Sequence, residues 1–143
     1  MGTQLCTRKR DRIMGKTKKM LLCDDSMLIR MQLKDFISSC NYAFDMIEAK
    51  DGEEAYELYM KEKPDLVFLD VVMPKMDGIA CLRKIREFDS EAKVVMLTSV
   101  GTKEIVKDAL QAGAADFMQK PWKKEVLIEV IDKLVLCEVK DHA

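Results

Sequence analysis

The 143-residue sequence lacks the features that mark several common protein classes. Its 24 basic residues are balanced by 25 acidic ones, so no global field favours nucleic acid or an anionic membrane as a partner. No apolar run approaches the roughly 18 residues that cross a bilayer, and no secretory signal stands at the N-terminus. We therefore expect a cytoplasmic protein with no direct nucleic acid and no membrane partner.

The sequence has no grouping of cysteine and histidine of the kind that a soft-metal site or a redox site needs. The five cysteines are scattered and form no C-x-x-C pair, which predicts small reduced core residues. The single histidine is His142, and the chain has no G-x-x-x-x-G-K-[ST] phosphate loop. The chain is therefore not expected to be an ATP-dependent kinase, and any phosphoryl group has to come from another protein or a small phosphodonor.

The distribution of charge and apolar residues predicts one domain with two short tails. Residues 1–18 are basic and weakly apolar, which is typical of a flexible N-terminal tail; a nucleic-acid arm or membrane anchor is the alternative. A regular pattern then occupies residues 19–138, and residues 139–143 are expected to form a short C-terminal tail. At this length the chain suits a single compact domain.

Five short apolar runs alternate with longer amphipathic segments between residues 19 and 138. The runs, which suit strands buried on both faces, are Met20–Cys23, Met46–Ile47, Leu66–Leu69, Val94–Leu97 and Phe117–Met118. Ser26 follows the first run as a candidate helix N-cap, and Gly113 stands where the fourth helix would end. Pro64 and Pro74 are breakers beside the third run. A β-α unit repeated five times predicts an α/β fold, a doubly wound parallel sheet with helices on both faces.

Polar residues follow four of the five predicted strands. They are Asp24 and Asp25 after the first strand, Asp70 after the third, Thr98 after the fourth and Lys120 after the fifth. The second strand ends at Glu48, which we treat as an ordinary surface residue. Because sites in such sheets lie at the carboxyl ends of the strands, the five polar side chains are expected to meet in one crevice.

Three carboxylates and one amine in a crevice predict a cation site. Two carboxylates about 4 Å apart repel by about 4 kcal/mol at an effective dielectric near 20, so a divalent ion is expected to offset their charge. Oxygen ligands favour Mg²⁺, whereas zinc would prefer histidine or cysteine. With a hydroxyl and an amine beside it, the site suits phosphoryl transfer, with Asp70 as nucleophile.

The chain from about residue 19 to 137 resembles the receiver domains of response regulators, and among them the CheY-like single-domain members. The motifs that carry the resemblance are Leu21-Leu22-Cys23-Asp24-Asp25-Ser26, Leu69-Asp70-Val71-Val72-Met73-Pro74-Lys75-Met76-Asp77-Gly78, Thr98-Ser99, Ala112-Gly113-Ala114-Ala115-Asp116-Phe117 and Lys120-Pro121. The resemblance implies a flavodoxin-like (βα)5 fold with strand order 2-1-3-4-5.

The resemblance also implies a role for each site residue. Asp70 would be the phosphoacceptor, with Thr98 and Lys120 contacting the phosphoryl group. Mg²⁺ would be held by Asp25 and Asp70 directly, by Asp24 mainly through water, and by the backbone carbonyl of Val72. Two further residues follow by position: Phe117 would be the switch aromatic, and Pro121 would follow a cis peptide bond. Asp77 is instead expected to cap a helix.

The expected function is that of a stand-alone response regulator in a two-component phosphorelay. It would accept its phosphoryl group from a histidine kinase and then bind a downstream target, such as a flagellar switch in chemotaxis or another effector. It would not be an enzyme beyond catalysing its own phosphorylation and dephosphorylation. One alternative is the receiver portion of a longer regulator. Another is a small aspartate-nucleophile phosphatase, which generally needs a second acid where this chain has Val72.

Overall fold

A computed structural model describes residues 18–39, 43–73, 76–99 and 101–142, with side chains as far as residue 134 in the last helix. Its strands are β1 (Lys18–Cys23), β2 (Phe44–Ala49), β3 (Leu66–Asp70), β4 (Val94–Thr98) and β5 (Asp116–Gln119). Its helices are α1 (Met27–Ser38), α2 (Gly52–Glu62), α3 (Gly78–Phe88), α4 (Lys103–Gln111) and α5 (Lys124–His142).

Both ends of the regular structure differ from the predicted limits. β1 begins at Lys18, because that residue already pairs with Phe44 in the ladder to β2. α5 runs to His142 and so includes most of the segment predicted as a C-terminal tail; no proline or glycine interrupts it. The predicted tail over residues 1–17 and the predicted breaker Pro74 lie outside the described residues.

The five strands form one parallel sheet in the order β2-β1-β3-β4-β5. This is the flavodoxin-like topology that the resemblance to receiver domains implies. β1 and β3 are neighbours, so the point at which the strand order reverses lies between them. Their carboxyl ends, at Cys23 and Asp70, open onto the same crevice.

Alternate residues of the strands supply two hydrophobic cores, one on each face of the sheet. Leu21 and Cys23 of β1 belong to the core beneath α2, α3 and α4, whereas Met20 and Leu22 belong to the core beneath α1 and α5. Because both faces are covered, strands β3 and β4 are buried along their whole length. This is why the apolar runs in the sequence are continuous rather than alternating.

The predicted helix boundaries are confirmed by their capping contacts. Ile29 donates its backbone N–H to the Ser26 hydroxyl at 3.3 Å, and Ala80 donates to the Asp77 carboxylate at 2.9 Å. Gly113 follows α4 with a positive φ of 102°, the conformation that favours glycine after a helix.

Helix α4 is less well covered than its apolar period suggests. Ala109 is fully buried in the core, but Leu110, one residue later, is 53% exposed. The 3.6-residue period identifies the helix but does not state how wide a stripe the sheet covers. In the part of the chain that the structure describes, no helix combines the length and hydropathy that crossing a membrane requires.

Candidate metal centre

The carboxyl edge of the sheet brings all five sequence-predicted polar residues to one crevice. Asp24 follows β1, Asp70 ends β3 and Thr98 ends β4, and these three residues are almost completely buried. Asp25 lies at the open mouth and is exposed. Lys120 follows β5, where its backbone N–H donates to the Thr98 carbonyl at 2.7 Å, so the last two strand ends are joined.

Asp24, Asp25 and Asp70 form an acidic cluster at the bottom and mouth of this crevice. Each offers one carboxylate oxygen, and the three oxygens lie within 4.8 Å of one another. These are hard ligands, the kind that Mg²⁺ takes together with water and substrate oxygens. The residues present therefore fit a magnesium ion, and neither histidine nor cysteine belongs to the cluster.

The amine of Lys120 bridges two members of the acidic cluster. Its Nζ lies 2.6 Å from Asp24 Oδ2 and 3.4 Å from Asp70 Oδ2, and the lysine side chain is only 14% exposed. The peptide bond from Lys120 to Pro121 is cis. One positive charge thus partly offsets two buried negative ones and leaves the net charge of the pocket negative.

Burial sets the acidity of Asp70. Loss of solvent around the carboxyl group, followed by the charge on Asp24, raises the pKa of Asp70 to about 6. Lys120 and the backbone N–H of Val72, which donates to the carboxylate, act in the opposite direction. At neutral pH the group is mainly ionised but holds its proton more tightly than an exposed aspartate.

Gly78 lets helix α3 begin close to the backbone of Asp70. A Cβ at this position would lie 2.0 Å from the Asp70 carbonyl oxygen, and the Gly78 N–H donates to the Val71 carbonyl at 2.8 Å. Asp77, just before it, caps α3. The predicted capping role of Asp77 is therefore confirmed.

Phe117 and Val72 are the remaining predicted residues. Phe117 pairs with Met96 in the sheet and packs partly buried against the core beneath α2, α3 and α4. Val72 is 62% exposed at the rim. The switch role of Phe117 and the ligand role of the Val72 carbonyl stay predictions.

A second layer of charged residues, not anticipated from the sequence, lies behind Asp24. Arg30 of α1 donates to the Asp24 backbone carbonyl and, at 2.9 Å, to the Glu48 carboxylate of β2. Lys34 also donates to Glu48, at 3.1 Å, and this hydrogen bond is the largest cause of a lowered Glu48 pKa. The sequence indicated this arrangement only through the position of Glu48 at a strand end. In the sheet, Glu48 lies beside Leu22 of β1.

Comparisons with known proteins agree with this geometry. Residues 20–132 match the family model described as the response regulator receiver domain. The chemotaxis protein CheY of Bacillus subtilis is 39% identical over 115 residues, which cover 80% of this chain and 95% of that protein. CheY of Thermotoga maritima is 38% identical over 117 residues, covering 82% of this chain and 97% of that protein.

A solved structure shows the same likeness in three dimensions. The crystal structure of the CheX-CheY-BeF3-Mg+2 complex from Borrelia burgdorferi contains a chain with a TM-score of 0.81 and 35% identity. The match covers 90% of this chain and 96% of that one. The chain therefore belongs to the response regulator receiver domain family, as a CheY-like phosphoacceptor signalling domain of the two-component type.

Proposed function

We propose that the chain acts as a response regulator in which Asp70 accepts a phosphoryl group from a histidine kinase. The observation that carries this proposal is the position of Lys120 Nζ, 2.6 Å from Asp24 and 3.4 Å from Asp70, inside a converging group of three carboxylates. An amine that touches both the acceptor and a metal-binding acid suits phosphoryl transfer.

Asp24, Asp25 and Asp70, with the backbone carbonyl of Val72, would hold the magnesium ion. When bound, Mg²⁺ supplies positive charge against the oxygens of the transferring phosphoryl group. The buried position of Asp24 and the exposed position of Asp25 suit a site that keeps an open side for the phosphodonor.

The transfer itself forms one bond and breaks another. A carboxylate oxygen of Asp70 attacks phosphorus, the bond from phosphorus to the donor histidine nitrogen breaks, and the neutral histidine leaves with its electron pair. With a pKa of about 6, Asp70 is largely ionised at pH 7.5 and can act as the nucleophile. Lys120 then offsets charge on the phosphoryl oxygens, and Thr98 donates a hydrogen bond to one of them. Water later attacks phosphorus, the bond from phosphorus to the Asp70 oxygen breaks, and inorganic phosphate leaves with the Asp70 carboxylate regenerated.

The output would be a change in protein binding. Thr98 and Phe117 lie on neighbouring strands, so contact between Thr98 and the phosphoryl group can bias the position of Phe117 and of the α4-β5-α5 face. The similarity to CheY proteins supports chemotaxis as the process, with a flagellar switch component or a CheX-type protein as target. We propose a cytoplasmic location for this exchange.

Incubation with acetyl phosphate and Mg²⁺, followed by intact-mass measurement, tests the acceptor. The native chain should gain one phosphoryl group, and Asp70→Asn or added chelator should abolish the gain. Asp77→Asn is the matched control, since it removes a nearby carboxylate but keeps a side chain that can cap α3. Equal labelling of the native and Asp70→Asn chains would contradict the proposal.

The phosphorylated and unphosphorylated forms should then be compared for binding to purified chemotaxis targets. Tighter binding of a flagellar switch component or a CheX-type protein by the phosphorylated form supports the chemotaxis role. Identical binding by both forms would contradict it and leave the acceptor chemistry intact.

A further inference from the structure

We propose that Arg30 is a positioning residue for the metal centre, because its guanidinium ties the peptide between Asp24 and Asp25 to Glu48 at the end of β2. The inference rests on the proposed function of the acidic cluster. It concerns two residues, Arg30 and Glu48, that are not themselves expected to touch the metal or the phosphoryl group.

Arg30 lies one turn into α1, where it can reach back over the turn that carries the metal-binding acids. Its backbone N–H donates to the Ser26 carbonyl at 3.1 Å, which fixes this turn of the helix. Its side chain then donates in two directions, from Nη1 to the Asp24 carbonyl and from Nε to Glu48 Oε1 at 2.9 Å. Only 15% of the side chain is exposed, compared with 44% for Lys34.

The other polar groups of Asp24 are also engaged. Its backbone N–H donates to the Ala49 carbonyl at 3.2 Å, Ser26 N–H donates to its Oδ1 at 2.9 Å, and Lys120 contacts its Oδ2. Asp24 is therefore held from four sides, and Arg30 supplies the contact on the backbone carbonyl.

The position of the Asp24 carbonyl determines where the backbone of Asp25 begins. The Asp24 C=O and the Asp25 N–H belong to one planar peptide unit, so a guanidinium that fixes the carbonyl also fixes where the Asp25 backbone starts. Asp25 is the exposed member of the acidic cluster, and burial does little to orient it. The orientation of its carboxylate thus depends on the peptide that Arg30 holds.

Glu48 completes the arrangement by anchoring the guanidinium. Arg30 and Lys34 both donate to its carboxylate, one to each oxygen. The planar fork of arginine can bond a carboxylate and a carbonyl at once, whereas the point charge of lysine cannot reproduce that geometry. We therefore expect Arg30→Lys to keep the positive charge but to retain only part of the Mg²⁺ affinity.

Electrostatics and positioning predict opposite results for removal of Arg30. If Arg30 acted only as a nearby positive charge, it would repel Mg²⁺, and its removal would strengthen Mg²⁺ binding. As a positioning residue it holds the ligands in place, and loss of such a contact typically weakens metal affinity by about 10- to 100-fold. The sign of the change therefore separates the two roles.

The test is a calorimetric titration of the full chain with Mg²⁺, with thermal unfolding measured on each variant. Arg30→Ala should raise the Mg²⁺ dissociation constant by about tenfold or more, and Arg30→Lys should recover part of the loss. Lys34→Ala is the matched control, because it removes a charge from the same Glu48 without touching Asp24, and it should bind Mg²⁺ as the native chain does. Glu48→Gln should weaken binding less than Arg30→Ala.

An Arg30→Ala chain that folds and binds Mg²⁺ as tightly as the native chain, or more tightly, would overturn the inference while leaving the proposed function in place. If Arg30→Ala fails to fold, Arg30→Lys decides the matter, and native affinity in that variant also overturns it. A native chain that binds no Mg²⁺ would instead refute the proposed function, and the positioning role with it.

Discussion

At the scale of single residues, the amine of Lys120 is the positive group that offsets the negative charge of the acidic cluster. It lies within ion-pair distance of both Asp24 and Asp70 and is itself largely buried. A cation that approaches the acidic cluster therefore meets carboxylates whose charge is already partly offset. Lys120 is suited to contact a phosphoryl group, yet it opposes the binding of a metal.

Replacing Lys120 by methionine should accordingly strengthen Mg²⁺ binding. The substitution keeps most of the side-chain volume and removes the charge, so the three carboxylates attract a divalent ion more strongly. We expect the Mg²⁺ dissociation constant, measured by calorimetry, to fall severalfold while phosphorylation by acetyl phosphate slows. An unchanged or weaker affinity would contradict this assignment of Lys120.

The raised pKa of Asp70 makes a second prediction, for stability. A carboxyl group whose pKa rises from near 3.8 to about 6 on folding stabilises the folded state at low pH and loses that stabilisation as pH rises through this range. In the presence of a chelator at pH 7.5, Asp70→Asn should raise the free energy of unfolding by about 1–2 kcal/mol, less than the full pKa shift implies because the substitution also removes the ion pair with Lys120.

Urea denaturation of both chains checks this value. The difference between Asp70→Asn and the native chain should shrink as pH falls from about 6 towards 4, where the native carboxyl group is also neutral. A difference that stays constant over this range would show that Asp70 does not carry the pH dependence.

At the scale of elements, two neighbouring residues at the start of α3 have different structural roles. Asp77 caps the helix from an exposed position, and Gly78 gives the backbone of Asp70 the room it occupies. Asp77 therefore affects the stability of the helix, whereas Gly78 affects the position of Asp70. Substitutions at the two positions should therefore separate stability from function.

We expect Asp77→Ala to lower the free energy of unfolding by about 1 kcal/mol and to leave Mg²⁺ affinity unchanged. Gly78→Ala should cost about 1–3 kcal/mol, since the new Cβ meets a backbone oxygen that cannot move aside freely. It should also weaken Mg²⁺ binding and slow phosphorylation, because Asp70 has to shift. Equal effects of the two substitutions on metal affinity would contradict this division.

The elements also show what could be read from the sequence and what could not. The strands, the helix caps and the meeting of polar residues at one sheet edge were predictable, because apolar runs, Ser26 and the polar residues after four of the strands depend on local chemistry. The exposure of Leu110 was not, since a helical period does not report the width of the covered stripe. The role of Arg30 was not either, because it needs the turn after β1 and the end of β2 to lie together.

At the scale of the whole molecule, a metal bound by the acidic cluster would stabilise the folded domain. The acids come from the ends of two central strands, β1 and β3, whose residues face both cores. A ligand that binds only when these ends converge stabilises the folded state by mass action. The unfolded chain, with its acids separated, gains nothing comparable.

Mg²⁺ at 100 times its dissociation constant should raise the free energy of unfolding by about 2.7 kcal/mol at pH 7.5. At a fixed Mg²⁺ concentration the gain should decline below pH 6, where protons compete for Asp70. Unfolding curves with and without the ion measure the effect, and Asp25→Asn serves as the control that should gain much less. An equal gain in that variant would place the ion elsewhere.

The contact between Asp24 and Lys120 joins residues 96 positions apart. A chain emerging from the ribosome exposes its three acids long before the lysine has been made. Until then no amine is available to offset the charge of these acids, and β5 is not yet present to complete that edge of the sheet. The site is thus complete only after nearly the whole domain has been synthesised, so its assembly has to follow the addition of the fifth strand.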